Sequence, residues 1–397
     1  MKKKIITKSI WVLSLVSLFT DVSSEMLYPV MPLFLKSIGF SIVLIGILEG
    51  AAEATAGLSK GYFGQLSDKS GKRVPFIRFG YFLSALSKPM MAAFAYPLWI
   101  FFARTSDRLG KGIRSSARDA YLSDQTTKNH KGKVFGFHRA FDTIGAFLGP
   151  VAALILLYYY PGQYKLLFVL AIFPGIVSIL LTFFLKEQKR SPELLPKAKP
   201  GVFSFLKFVR TAPFEYKRLV SGLLIFTLFN SSDVFLLLVM KQAGVSDLHL
   251  ILAYVFYNAI YAIFAYPVGA LADKIGLKTM LVVGFVLFAI VYAGFAFNKN
   301  FYYFFGLLFL YGMYAACSES IGKAWITNIS ARSETATAIG TYTAFNSVFI
   351  MIASSLAGLV WFLWGSATTM MISAVAVLLV AFYFILLVPE KIPLKNE

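Results

Sequence analysis

The sequence predicts an all-α membrane protein: twelve transmembrane helices in two six-helix lobes related by a pseudo-two-fold axis. Three observations predict it. Runs of about 20 apolar residues, the length that crosses a bilayer, recur along all 397 residues. Charged residues make up only 14% of the chain, against roughly 25% in a soluble domain. A short charged hinge, Gly64-Gln-Leu-Ser-Asp68-Lys-Ser-Gly71-Lys-Arg73, recurs 205 residues later as Gly269-Ala-Leu-Ala-Asp273-Lys-Ile-Gly276-Leu-Lys278. Each copy stands where one apolar run ends and the next begins, so the chain reads as a duplicated unit.

The spans fall near 10–35, 42–63, 76–96, 97–121, 134–158, 165–185, 216–240, 248–270, 278–297, 300–326, 335–361 and 367–388. Met-Lys-Lys-Lys followed by an apolar run has the form of a signal peptide. No small-residue cleavage site follows, and Asp21 and Glu25 interrupt the run, so an uncleaved first span is expected. Residues 186–215 form the one long polar stretch, with Pro192, Pro196 and Pro200, and read as a linker. Part of it, 203–210, has the pattern of an amphipathic surface helix. The domains are therefore an N-terminal lobe over 1–185, the linker, and a C-terminal lobe over 216–397.

The formal charge of +19 would suggest nucleic acid in a soluble chain. Its distribution excludes that partner. With alternate connections assigned to opposite sides, 25 Lys and Arg fall on one side and 4 (Lys36, Lys165, Lys241, Lys299) on the other. The positive-inside rule then places both termini in the cytoplasm of a cell-membrane protein. The basic face meets the headgroups of the lipid bilayer. One cysteine, Cys317, rules out an internal disulfide and a cysteine-based metal cluster.

The duplication extends beyond the hinge. Ser23-Ser24-Glu25 in span 1 matches Ser231-Ser232-Asp233 in span 7, and Ser106 to Lys111 in span 4 matches Ser318 to Lys323 in span 10. Gly136 to Asp142 in span 5 matches Gly340 to Asn346 in span 11. Four matches in one order, at offsets of 204–212, indicate a parallel repeat about an axis along the membrane normal, one of the architectures of secondary transporters.

The hinge resembles motif A of the major facilitator superfamily: Gly, three residues, Asp, basic, any, Gly, basic, basic. The first copy fits at every position; the second has Leu277 in place of a basic residue. Span 4 resembles the family's motif B with Arg104 as its membrane arginine, departing at Asp107 and Arg108. Gly145-Ala-Phe-Leu-Gly149-Pro150 in span 5 resembles motif C of the proton-coupled antiporter branch, without its trailing glycine pair. The resemblance covers essentially the whole chain. It implies a cavity lined by spans 1, 4, 7 and 10, alternating access, and a cytoplasmic latch at Asp68 and, more weakly, at Asp273.

Charged groups at mid-membrane cost about 2.5–3.5 kcal/mol each on translocon scales, so those that persist are paired or line a wet cavity. The N-terminal half has six deep acids, Asp21, Glu25, Glu49, Glu53, Asp107 and Asp142, and six bases, Lys60, Lys88, Arg104, Arg108, Lys111 and Arg139. The two sets balance within that half. The C-terminal half has Asp233, Glu319 and Lys323. At helical spacing Asp21 and Glu25 share a face, as do Glu49 and Glu53, and Arg104, Arg108 and Lys111. The asymmetry places coupling in the N-terminal half. Glu25 and Glu53 are the expected titrating groups, and Arg104 or Arg108 the cation whose contact changes. The alternative is a set of static ion pairs.

Other signals carry little. Gly57-Leu-Ser59-Lys-Gly61 has the nucleophile-elbow pattern, but inside an apolar helix rather than at a strand–helix turn; small residues there suit close packing. Gly110-Lys-Gly112 lacks the rest of a phosphate loop. His138, one turn from Asp142, reads as an interface residue. The many Phe and Tyr, Tyr158 to Tyr160 among them, read mostly as lipid-facing or interfacial.

The expectation is a monomeric secondary transporter of a small organic solute, with protons as coupling ion, running as an exporter. It is no enzyme and needs no cofactor or metal. Proton-coupled or exchange uptake of an organic anion on the span 4 cations is the runner-up, and a transport-dead sensor or scaffold on the same fold a remote one.

Overall fold

The computed structural model describes residues 5–27, 31, 34, 35, 38, 39, 42–94, 96–187, 201, 205–231 and 233–389. Side chains are described at those positions except 42–47, 49–51, 53, 54, 234, 247, 248 and 251. Among the described residues there are helices and turns and no strand. A backbone in hydrocarbon must satisfy its own N–H and C=O groups, and a helix does so within one segment.

The helices are α1 (Lys8–Glu25), α2 (Ile42–Ser70), α3 (Val74–Ala93), α4 (Pro97–Asp124), α5 (Lys131–Tyr159), α6 (Tyr164–Leu170), α7 (Ile172–Thr182) and α8 (Phe205–Thr211). They continue with α9 (Phe214–Phe229), α10 (Val234–Gln242), α11 (Asp247–Ile275), α12 (Leu277–Phe297), α13 (Phe301–Ile329) and α14 (Thr335–Leu387). α14 is two spans joined at Gly365, whose φ of 83° leaves the helix and suits a residue without Cβ. Six segments among the described residues are apolar and long enough to cross a bilayer. α4 is not among them, because its apolar run is broken by the charges discussed below. Pro89 lies inside α3 and Pro267 inside α11; Pro29 and Pro32 lie outside the described residues.

Two compact units form. The first comprises residues 1–126, 141–210 and 331–344; the second comprises 127–140, 211–330 and 345–397. Each unit therefore contains ten to fourteen residues of helix from the other half of the sequence: the start of α14 belongs to the first unit, and the start of α5 to the second.

In the first unit, an apolar cluster of Met26, Phe34, Leu48, Met91, Ile100, Leu167 and Phe168 fills one end. Elsewhere glycines bring helices into backbone contact. A Cβ on Gly80 would lie 2.6 Å from the Gly110 carbonyl, and one on Gly110 would lie 2.7 Å from the Gly80 carbonyl, so α3 and α4 meet glycine to glycine. A Cβ on Gly112 would strike Ser59 of α2, which gives the small residues of that helix a packing role. Gly145 and Gly149 of α5 lie against α1, where added Cβ atoms would stand 2.6 Å from the Leu18 carbonyl and 2.7 Å from the Met26 amide. Small residues four apart are a membrane seam of this kind.

The linker takes part in packing. Phe205 and Phe208 of α8 are buried, and a Cβ on Gly61 would lie 2.6 Å from the Phe205 ring. The Phe205 carbonyl accepts from Thr341 Oγ1 at 3.5 Å. Gly61 thus leaves a notch in α2 that a linker side chain fills.

In the second unit, Phe226, Phe285, Phe288 and Phe384 build an aromatic core with ring centroids 4.6–5.5 Å apart. Gly284 lies on Cys317, and Gly312 on the Tyr257 carbonyl. Gly136 of α5 lies on the Ala265 carbonyl of α11.

Phe205→Ala should cost about 3–5 kcal/mol, the usual range for emptying a buried aromatic site, read as a lower unfolding temperature of the purified protein. Gly61→Ala should destabilise the native chain and cost much less on the Phe205→Ala background. Equal costs on both backgrounds would show that the two residues do not share one notch.

Candidate functional site

At the hinge of the first unit, the Asp68 carboxylate sits on the N-terminus of α14. Asp68 Oδ2 accepts from the Thr337 amide at 2.6 Å and from its hydroxyl at 2.7 Å. The first amides of a helix have no intrahelical acceptor and carry its positive dipole end, which favours a carboxylate there. Arg73 pairs with Asp68 Oδ1 at 2.5 Å, donates to Ser67 Oγ at 2.9 Å and reaches Asp124 at 3.4 Å. Glu187 caps the next helix, accepting the amides of Arg73 at 3.0 Å and Val74 at 2.8 Å. Gly71 turns the chain with φ 67°. Gly64 admits the start of α14, since a Cβ there would strike the Ala336 carbonyl.

The second hinge repeats the cap. Asp273 Oδ1 accepts from the Gly132 amide and Oδ2 from the Lys133 amide, each at 2.8 Å, at the N-terminus of α5. Gly269 admits that helix end as Gly64 admits the other, and Gly276 turns with φ 100°. Lys131 Nζ donates to the Thr327 carbonyl at 2.6 Å. Lys278 takes a different part from Arg73: it donates to the Ile385 carbonyl at 2.9 Å, at the end of α14.

Deeper in the first unit, Asp107 is shared by Lys88 of α3 at 2.7 Å and Arg104 one turn back at 3.6 Å. All three are buried. Arg114 donates to Ser84 Oγ at 2.5 Å and lies 4.6 Å from the Tyr81 ring centroid. Arg118 meets Asp119 at 3.0 Å, Asp142 at 3.8 Å and Ser17 Oγ at 3.1 Å. The charges facing Asp21 are Asp142, Glu25, Lys111 and Arg118. Asp21, Glu25 and Asp142 thus gather around the span 1–span 5 seam that Gly145 and Gly149 make, with Pro150 beside it within α5. Arg108 is buried in α4. Glu49 and Glu53 are in α2, but their side chains lie outside the described residues.

In the second unit, Asp233 accepts from the hydroxyls of Tyr257 and, at 2.5 Å, Tyr311. Glu319 pairs with Arg139 at 2.5 Å and accepts from Tyr261 at 3.0 Å. Arg139 also donates to Tyr261 at 2.6 Å.

Two expectations change here. Arg139, counted above with the bases of the N-terminal half, belongs to the second unit and pairs there with Glu319. The tyrosines are not all lipid-facing or interfacial. Tyr158 to Tyr160 are exposed, but Tyr257, Tyr261, Tyr292, Tyr311 and Tyr314 are buried, with their hydroxyls on polar partners. Sequence reading also passed over Arg114, Arg118, Asp119, Asp124 and Glu187. The run Arg118-Asp119 at the end of span 4 was the available signal.

The family model for the Major Facilitator Superfamily matches residues 13–256 and 219–397. The chain belongs to the Major Facilitator Superfamily. It is similar to an uncharacterized MFS-type transporter of Methanocaldococcus jannaschii, 31% identical over 374 residues, 91% of this chain and 92% of that one. It is also similar to the quinolone resistance protein NorA of Staphylococcus aureus, 27% identical over 44% of this chain and 47% of that one. Among solved structures, the human organic anion transporter MFSD10 superposes with a TM-score of 0.78 at 18% identity, covering 95% of this chain and 98% of the other. The Escherichia coli fucose:proton symporter superposes with a TM-score of 0.79 at 13% identity, covering 96% and 98%. The fold is thus that of this superfamily, twelve transmembrane helices in two six-helix lobes. The protein is a multi-pass membrane transporter of small molecules, not an enzyme.

Asp107→Asn should lower stability by about 3–5 kcal/mol, because it strips the shared acid from two buried cations. Lys88→Met leaves the Arg104–Asp107 pair in place and should cost less. Thermal unfolding of the purified variants reads the order, and the reverse order would show that Lys88 and not Asp107 is the hub.

Proposed function

We propose that this transporter exports a small organic solute across the cell membrane in exchange for protons, by alternating access. The observation that carries the cycle is the pair of hinge carboxylates, each clamped on the first amides of a helix from the other half of the sequence. Such a contact is made or lost as a unit. Breaking a charge-assisted hydrogen bond costs about 1.5–3 kcal/mol, enough to bias a two-state equilibrium about ten-fold or more. Asp68, braced by Arg73, is the stronger latch, and Asp273 the weaker. By the Lys and Arg asymmetry both hinges and both termini are cytoplasmic. The protein works as a monomer.

Proton coupling is supported by the cluster of Asp21, Glu25 and Asp142 around Arg118. Its acids outnumber the bases that face them. Glu53 is a further candidate from spacing alone. Outward direction is supported by the glycine seam of Gly145 and Gly149 on α1 and by the partial similarity to the quinolone resistance protein. Uptake of an organic anion on Arg104, Arg108 and Lys111 has less support, since Arg104 is committed to Asp107.

In proteoliposomes preloaded with solute, acidifying the exterior should accelerate solute efflux and acidify the interior. Accelerated uptake under the same gradient would make the protein a symporter. Asp68→Asn should slow turnover about ten-fold, the size expected for a lost charge-assisted contact, with solute affinity nearly unchanged. Asp273→Asn should slow it less. A collapse of affinity at native turnover would remove Asp68 from the latch.

A further inference from the structure

A recess on the second unit lies between α9 and the second half of α14. Its walls include Gly222, Ile225 and Phe229 of α9 and Ala376, Leu379 and Tyr383 of α14. Both sets have the same spacing, three residues and then four, which is one face of a helix. The helices meet at Gly222, where a Cβ would stand 2.6 Å from the Phe384 ring and 2.7 Å from the Tyr383 ring. The polar group among these six side chains, the Tyr383 hydroxyl, already donates to the Arg218 carbonyl at 2.9 Å. Ile225 and Leu379 are exposed, so the recess opens to the bilayer rather than into the bundle. Its volume is about 210 Å³, short of the roughly 300–1,000 Å³ of pockets that enclose a whole small molecule.

The same two helix faces end in charge. One turn beyond Gly222 on α9 is Arg218, and one turn beyond Tyr383 on α14 is Leu387. Arg218 donates to the Leu387 carbonyl at 3.1 Å, and its guanidinium stands 4.3 Å from the Phe214 ring centroid. That bond uses one of the five guanidinium donors. Glu215, in the same turn, makes no ion pair with it among the described residues. Lys278 donates to the Ile385 carbonyl at 2.9 Å, at the same end of α14. The last carbonyls of a helix carry roughly half a negative charge, and two full cations there leave a positive surplus. Capping accounts for the two contacts and not for the surplus.

The depth of the recess matches a lipid. From Arg218 to Phe229, α9 rises about 16 Å at 1.5 Å per residue, close to half of the roughly 30 Å hydrocarbon core. An apolar channel one leaflet deep, with cations at its mouth, has the form of one acyl chain below an anionic headgroup. The Lys and Arg asymmetry puts the start of α9 on the cytoplasmic side, where the leaflet carries anionic lipid.

We propose that this recess is a binding site for one anionic phospholipid of the cytoplasmic leaflet. One acyl chain lies between α9 and α14, and the phosphate meets Arg218, with Lys278 adding charge. The site rests on the orientation proposed above and not on the solute or the coupling ion.

The test is native mass spectrometry of the purified full-length protein, titrated in detergent with dioleoyl phosphatidylglycerol or dioleoyl phosphatidylcholine. The first phosphatidylglycerol should bind about five-fold more tightly than the first phosphatidylcholine, the size expected of one cation near an anionic headgroup. Arg218→Gln should abolish that preference, and Arg218→Lys should keep it. Ala376→Phe, which fills the recess, should weaken both lipids roughly five-fold or more by excluding chain methylenes. For the same reason dihexanoyl phosphatidylglycerol should bind the native protein roughly ten-fold more weakly than the dioleoyl lipid, or weaker still. The proposal is overturned if the two headgroups bind alike, if Arg218→Gln keeps the preference, or if Ala376→Phe binds like the native protein. Inorganic phosphate that displaces the lipid outright would also overturn it, since the site would then take phosphate and no chain. Should Ala376→Phe fail to fold, the chain-length dependence of the native protein decides the matter. Labelling of Pro213→Cys by an impermeant maleimide in intact cells would overturn the leaflet. Lipid held by a protein that moves no solute would sink the transport reading and leave the site standing. Proton-driven efflux without the lipid preference would do the reverse.

Discussion

Two carboxylates on two helix ends organise this protein. Asp68 takes the amide of Thr337, and Asp273 takes those of Gly132 and Lys133. Each contact answers one physical demand: the opening amides of a helix have no partner of their own, and a helix dipole favours an anion there. Several neighbours serve the same contact. Gly64 and Gly269 remove side chains so that the helix ends can approach. Gly71 and Gly276 turn the chain so that the aspartates point the right way. Arg73 fixes the first carboxylate from its other oxygen, while Lys278 has gone to a different helix end. The two hinges are therefore alike in capping and unlike in bracing.

The second constraint is the cost of charge in a bilayer. It accounts for the distribution of ionisable groups better than any single motif does. Cations in span 4 are tied down within their own unit, Arg104 with Lys88 on one acid and Arg118 on others. Acids gather where span 1 meets span 5, and Asp233, between α9 and α10 in span 7, is held by tyrosine hydroxyls. A transporter needs charge that is affordable in more than one arrangement, and hydroxyl-held carboxylates and shared acids both meet that need.

Much of this was legible in the sequence, and the reasons are local. Span lengths follow from apolar runs, and the duplication follows from four matched segments, so the fold could be read directly. The hinge residues were legible because glycine and aspartate have few other reasons to recur in that spacing. Side-chain partners were not legible. Nothing in the spacing of Arg139 says that it meets Glu319, 180 residues away. Nor does anything in the string around Tyr257 or Tyr311 distinguish a tyrosine on a buried carboxylate from one at the lipid interface. The break in span 7 was hidden as well, because Asn230 and Ser231 in an apolar run do not by themselves stop a helix. Phe205 was seen as part of an amphipathic stretch, but its seat depends on the missing side chain of Gly61, 144 residues earlier.

The exchange of helix starts has a consequence for the origin of the chain. Residues 127–140 lie in the unit built mainly from the second half, and 331–344 in the unit built mainly from the first. A single ancestral half, before duplication, had no second half from which to take that helix start. It would have been complete only beside another copy of itself, each lending a helix end and each receiving an aspartate cap. A duplicated gene would inherit a symmetric pair of contacts, and joining the copies would free one of each pair to change. The unequal hinges, Arg73 on one side and Lys278 turned elsewhere on the other, are what that freedom would leave behind.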